Sequence, residues 1–158
     1  MIEESSEFRD SLNNSLRFLS YRPRSTAEVY RKLAGNFHSD VVDAVIKWLI
    51  DNKYLDDQAF AIQWKNYRER LNPKGEILIR RELRSMGISE HIIEGAVGDI
   101  DEEENAYNAV LRFARRRHRI GCDEAQLYRM IYQYLKRRGF NDWTIALVKP
   151  RIAAELFP

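Results

Sequence analysis

The stretch DDQAFAIQWKNYRERLNPKGEILIRRELRSMGISEHIIEGAV, residues 56–97, decides the fold because it reads as one complete unit of a repeat. Phe60, Trp64, Tyr67 and Leu71 fall at helical spacing and mark a first helix. Asn72-Pro73-Lys74-Gly75 breaks it, a second helix runs from Glu76 to Met86, Gly87 stops that one, and a short third helix starts at Ser89. Three helices in about forty residues make a small module.

Working outward, the unit recurs on both sides. Leu33, Leu83 and Leu135 each lie near the end of a charged helix, and six residues later stand Ser39, Ser89 and Asn141, residues that cap helix N-termini. An acid follows each, Asp40, Glu90 and Asp142, where a negative charge complements the helix dipole. Gly87 and Gly139 follow two of the leucines by four residues, at the place of a left-handed C-terminal cap; the first unit has Phe37 there and Gly35 nearby. The spacings of fifty and fifty-two residues predict an all-α protein, an elongated and curved tandem array of three three-helix repeats over residues 1–54, 55–99 and 100–158.

In the first repeat, Phe8, Leu12, Leu16 and Leu19 stripe a helix that ends at Tyr21-Arg22-Pro23, and Ser25 with Glu28 forms a capping box for the helix Thr26–Ala34. The third helix carries Val42, Val45, Ile46, Leu49 and Ile50 and is expected to be buried. In the third repeat the acidic run Asp101 to Glu104 opens a helix that reaches His118, and Trp143, Ile145 and Leu147 are expected to form a core face further on.

With 44% hydrophobic residues the chain can build cores, and with 32% charged residues it has no run near the ~20 apolar residues of a membrane span. The start MIEESSEFRD is acidic and polar, unlike a secretory signal or a transit peptide, and Cys122 is a lone thiol, so a cytoplasmic protein is expected. Charge is unevenly spread. Residues 56–104 carry seven Lys/Arg against twelve Asp/Glu, whereas residues 105–158 carry eleven against four. A basic end on a nearly neutral chain suggests a polyanion or an acidic protein surface as partner.

The strongest electrostatic signal is Arg112, Arg115, Arg116 and Arg119, at i, i+3, i+4, i+7 with no acid among them. Such a stripe repels itself and needs anions or a counter-surface, for which the acidic middle repeat is the internal choice. Arg80 and Arg84 share a face one turn apart, although Glu76 also pairs with Arg80 at that spacing; Lys74 joins Arg68 and Arg70 around the preceding turn. The adjacent Asp56 and Asp57 invite an acid/base or metal reading, but an aspartate before an apolar-striped helix reads as its cap. No phosphate loop, zinc spacing or nucleophile elbow appears, so neither catalysis nor a cofactor is expected.

The segments R-S-T-A-E-V-Y-R-K-L (Arg24–Leu33), Y-L-D-D-Q-A-F-A (Tyr54–Ala61), P-K-G-E-I-L-I-R-R-E-L-R-S-M-G-I (Pro73–Ile88) and Y-L-K-R-R-G-F (Tyr134–Phe140) together resemble the RecX family of regulators of the recombinase RecA. The resemblance runs in order from about Leu12 to Ile145 and implies a tandem array of three-helix repeats. It also implies a protein that binds the RecA filament on single-stranded DNA, lies in its groove, inhibits ATP hydrolysis and strand exchange, and has no chemistry of its own; a monomer is expected. The basic side chains expected to face filament and DNA are Arg24, Arg31, Arg68, Lys74, Arg80, Arg84, Arg112, Arg115, Arg116 and Arg119. The competing expectation is a sequence-independent DNA-binding module, since three-helix units with basic second helices resemble helix-turn-helix domains.

Overall fold

The structure, a computed structural model, describes residues 5–71 and 73–158; the first four residues of the acidic start and Asn72 of the breaker lie outside the described residues. The described residues form nine helices and no strand. They are α1 (Ser6–Tyr21), α2 (Thr26–Ala34), α3 (Ser39–Asp51), α4 (Asp57–Leu71), α5 (Glu76–Ser85), α6 (Glu90–Val97), α7 (Glu102–Arg119), α8 (Glu124–Arg137) and α9 (Asp142–Leu156). The all-helical reading and the three-helix grouping both agree with this order.

The chain folds as two compact units, one formed by the residues up to Gln63 with Leu83–Ala96, the other by Trp64–Glu82 with Val97–Pro158. In the first unit, α1, α2 and α3 enclose Phe8, Val29, Leu33, Val41, Val42, Val45, Leu49 and Leu55. Ser25 caps α2 through the expected capping box with Glu28. Ser39, by contrast, is the first residue of α3 and not its cap. His38 holds that place without a side-chain cap bond, and its backbone N–H donates to the Glu7 carboxylate at 2.9 Å, so an acid from α1 occupies the helix start. The buried face of α3 is Val41, Val42, Val45 and Leu49, and Ile50, expected to be buried with them, is exposed.

The second unit is built on Ala106, Ala109, Val110, Ala114, Leu127, Ile131, Leu135, Phe140, Ile145, Val148 and Ile152. Within α9 the buried face is Ile145, Val148 and Ile152, at i, i+3, i+7, whereas Trp143 is 74% exposed and Leu147 39%. The expected core face of Trp143, Ile145 and Leu147 is therefore wrong. Residues two apart on a helix point to nearly opposite sides, and only Ile145 of the three reaches the core.

A common junction joins successive repeats and appears once inside each unit. In the first unit Ser25 Oγ donates to the Met86 carbonyl at 2.5 Å, and the Thr26 N–H donates to the Asp57 carboxylate at 2.7 Å. In the second, the Gly75 N–H donates to the Arg138 carbonyl at 2.8 Å, and the Glu76 N–H donates to the Glu102 carboxylate. Ser25 and Gly75 both stand eight residues before their repeat leucine, and Met86 and Arg138 both stand three after the next one. Asp57 and Glu102 are each the first residue of the following repeat's first helix. Thus each of these carboxylates serves the N-terminus of the preceding repeat's second helix, where orphan N–H groups need an acceptor.

Glycines make the contact close enough. Gly87 and Gly139 have φ of 77° and 83°, the left-handed conformation expected of both. A Cβ on Gly139 would lie 2.5 Å from Leu78 Cγ, and one on Gly75 would lie 2.1 Å from the Gly139 oxygen, so backbone meets backbone with no room for a side chain. The α8 N-terminus differs. It starts eleven residues before Leu135, a turn earlier than its counterparts, and is closed by its own capping box of Asp123 and Gln126.

Candidate functional site

The helix α7 carries the basic stripe and is well made for it. Asp101 caps it, Glu102, Glu103 and Glu104 occupy its first turn, and Arg116, Arg117, His118 and Arg119 its last, so charge follows the dipole at both ends. Ala106, Ala109, Val110 and Ala114 bury the opposite face. Small residues there let the helix sit close to its neighbours and leave the arginines directed outward. Arg112, Arg115, Arg116 and Arg119 line one surface groove together with Asn108 and Leu111.

Within the described residues, Arg112, Arg116 and Arg119 are exposed and make no ion pair or side-chain hydrogen bond. Arg115 alone is engaged, at 2.5 Å from Glu155 of α9. The internal partner of the stripe is therefore this one acid of the last helix and not the acidic middle repeat.

Arg112 also lines a second groove, with Glu69, Arg70, Leu71, Pro73, Asn108, Tyr134 and Arg138. Arg138 lies over the Tyr134 ring at 4.5 Å, Tyr134 stacks on Phe113 at 4.5 Å and 19°, and Arg117 lies over Phe113 at 5.3 Å. This run of stacked rings and guanidinium groups fixes two cations beside the groove. Arg70 and Arg138 are absent from the expected set. Their signal in the sequence, cations at helix C-termini, is satisfied equally by the dipole and so does not single them out.

The remaining expected residues of this unit are tied down. The Arg68 guanidinium donates twice to Glu82, at 2.8 and 2.9 Å, and Lys74 and Trp64 Nε1 donate to the same carboxylate at 2.5 and 2.8 Å. Burial pushes the Glu82 carboxyl up, but the hydrogen bonds from Lys74, Trp64 and Arg68 outweigh it and hold the group below the usual carboxylate range. Arg80 pairs with Glu76 at 2.7 Å, the i, i+4 pair legible in the sequence. In the first unit Arg24 sits over the Phe18 ring at 3.9 Å and 3.7 Å from Glu28, Arg31 donates to the Ser85 carbonyl at 3.3 Å, and Arg84 makes two bonds to Glu90. Three of the ten expected side chains thus lie in the first unit and seven in the second, and the unpaired ones gather on α7.

Asp56 accepts from the Ala59 N–H at 2.9 Å and so caps α4. Among the described residues no group of three or more His, Cys, Asp or Glu is placed to hold a metal ion, and no helix is long and apolar enough to cross a membrane.

Comparison with known proteins agrees with this architecture. The family model for the first three-helix domain of RecX matches residues 12–49, and that for the second matches residues 56–97. The regulatory protein RecX of Prosthecochloris aestuarii is 30% identical over 141 residues, covering 89% of this chain and 91% of that protein. The chain belongs to the RecX family. The regulatory protein RecX of Bacillus subtilis is 32% identical over 158 residues, and the chain spans 59% of that protein's length; it spans 54% of the Geobacillus kaustophilus one. The crystal structure of RecX from Lactobacillus salivarius superposes with a TM-score of 0.81 at 24% identity, over 94% of this chain and 97% of that one, and shows the RecX fold. The resemblance read from four segments is thus borne out.

Proposed function

We propose that the chain binds the RecA filament on single-stranded DNA, inhibits its ATP hydrolysis and strand exchange, and performs no reaction itself. The observation that carries this is the α7 face, where Arg112, Arg116 and Arg119 stand exposed without a partner beside Arg70. Guanidinium forks match phosphate and carboxylate geometry, and a cation set left unpaired among the described residues calls for an anion from outside. Tandem repeats, for which we keep the bounds 1–54, 55–99 and 100–158, bring several weak contacts to one polymer and so bridge its neighbouring protomers. The protein acts as a monomer in the cytoplasm. The basic residues of the expected set outside α7 are held by carboxylates or, for Arg31, by the Ser85 carbonyl, leaving the α7 face as the main contact.

The test is inhibition of RecA's DNA-dependent ATPase at amounts of this protein far below the DNA sites. A filament binder still inhibits there. Inhibition that appears only when the protein saturates the DNA would instead favour plain DNA binding, the reading that the Arg70, Arg112 and Arg138 groove supports by itself.

A further inference from the structure

On the α7 face, Arg115 is the one stripe residue with a partner among the described residues. Its Nε and Nη2 donate to Glu155 Oε1 at 2.9 and 2.5 Å, a side-on geometry that copies the way a guanidinium grips a phosphate oxygen. Glu155 is itself fixed, because the Tyr107 hydroxyl donates to its other oxygen. The neighbouring Arg151 lies over the Tyr107 ring at 3.7 Å but belongs to Glu104 and Glu103, at 2.9 and 3.7 Å. Removing the charge of Glu155 therefore frees Arg115 and leaves Arg151 held. Arg115 is 55% exposed at its side chain, so the pair is open to exchange, and an exposed ion pair is weak enough to be traded for a better anion.

We infer that Glu155 is an internal competitor for the arginine stripe: it occupies Arg115 in the free protein, and a polyanion must displace it to use all four arginines. This rests on reading the α7 face as the polymer contact and adds the residue that sets its affinity. The ligand chemistry is the phosphodiester backbone of a single strand, because flexible phosphates follow a row of guanidinium groups along one helix, whereas a folded acidic surface has to match it in shape.

The experiment measures fluorescence anisotropy of a labelled oligothymidylate with the full chain, across a salt series, beside labelled polyglutamate. Glu155→Gln keeps the size of the side chain and its contact with the Tyr107 hydroxyl but releases Arg115. The expected result is about threefold to tenfold tighter binding of oligothymidylate and a log–log salt slope steeper by roughly 0.7, the increment for one more phosphate on a single strand. Adding Arg115→Gln to the variant abolishes the gain. Tyr107→Phe, which unpins Glu155 without touching charge, moves affinity the same way by less.

Unchanged binding in Glu155→Gln, with the native protein binding normally, overturns the competitor role and leaves the α7 reading intact. A gain that survives Arg115→Gln also overturns it, since it then reflects overall charge. A gain for polyglutamate alone overturns the nucleic-acid assignment. Absence of binding to either polymer at low salt, in native and variant protein, removes the α7 reading and this inference together.

Discussion

At Glu82 a single carboxylate gathers Arg68, Lys74 and Trp64, with the Arg68 side chain only 16% exposed and that of Glu82 21%. Removing the charge leaves two cations without their counter-ion, so Glu82→Gln should destabilise the chain by about 2 kcal/mol in urea unfolding at neutral pH. Its folded pKa is depressed, so the stability it contributes is present above the ordinary glutamate value and is lost as pH falls through the lower folded one. Glu102 has the opposite sign. Burial raises its carboxyl, despite the Glu76 N–H, so its contribution is complete below the ordinary glutamate value and declines as pH rises through the folded one. Unfolding free energies measured from acid to neutral pH should thus fall less steeply on acidification in Glu82→Gln than in the native protein, and Glu102→Gln should change the profile in the reverse direction. The sequence shows Arg68 and Glu82 as unrelated charges fourteen residues apart. Only helical neighbours such as Glu76 and Arg80 are legible as pairs, because the turn of one helix sets their distance, while the fold sets the other.

The junction is the element that the repeat spacing announces without describing. A period read from Leu33, Leu83 and Leu135 says that three similar pieces exist, and the cap glycines say where second helices stop. Neither reveals that Asp57 and Glu102 reach back to the preceding repeat, since an acid at a helix start satisfies its own dipole equally well. The first repeat has no such glycine: Gly35 has φ of −85° with no atom within 4 Å of a notional Cβ, unlike Gly87 against Ala27, and Phe37 packs on the first core instead. Substitution separates the two kinds of glycine. Gly139→Ala places a side chain at positive φ against Leu78 and should cost about 2–3 kcal/mol in chemical denaturation. Gly35→Ala should leave stability unchanged or raise it by about 0.5 kcal/mol, through a stiffer unfolded chain. Asp57→Ala, which strips the acceptor from the α2 N-terminus, should cost about 1 kcal/mol. The exposure of Trp143 follows from the same geometry of helices: apolar residues two apart cannot share a face, and the periodic set is Ile145, Val148 and Ile152.

For the molecule as a whole, net charge conceals the feature that matters. A value of +2 describes a protein with little pull on any polymer, yet eleven Lys/Arg against four Asp/Glu in residues 105–158 concentrate positive potential in one stretch, and three unpaired arginines direct it from one helix face. The sequence exposes the stripe because its spacing is helical, but it cannot say which of the ten cations already have partners, and half the set turns out to be held by Glu28, Glu76, Glu82 and Glu90. This sorting sharpens what salt should do. If Arg112, Arg116 and Arg119 each neutralise one phosphate of a single strand, replacing all three by Gln should flatten the log–log salt dependence of oligothymidylate binding by about 2, at roughly 0.7 per contact. Replacing Arg68, Lys74 and Arg80 removes as much formal charge from residues tied to Glu82 and Glu76 and should flatten it far less. Equal effects from the two triple variants would mean that the polymer feels only the overall charge of the chain, and the α7 face would lose its claim to be the contact.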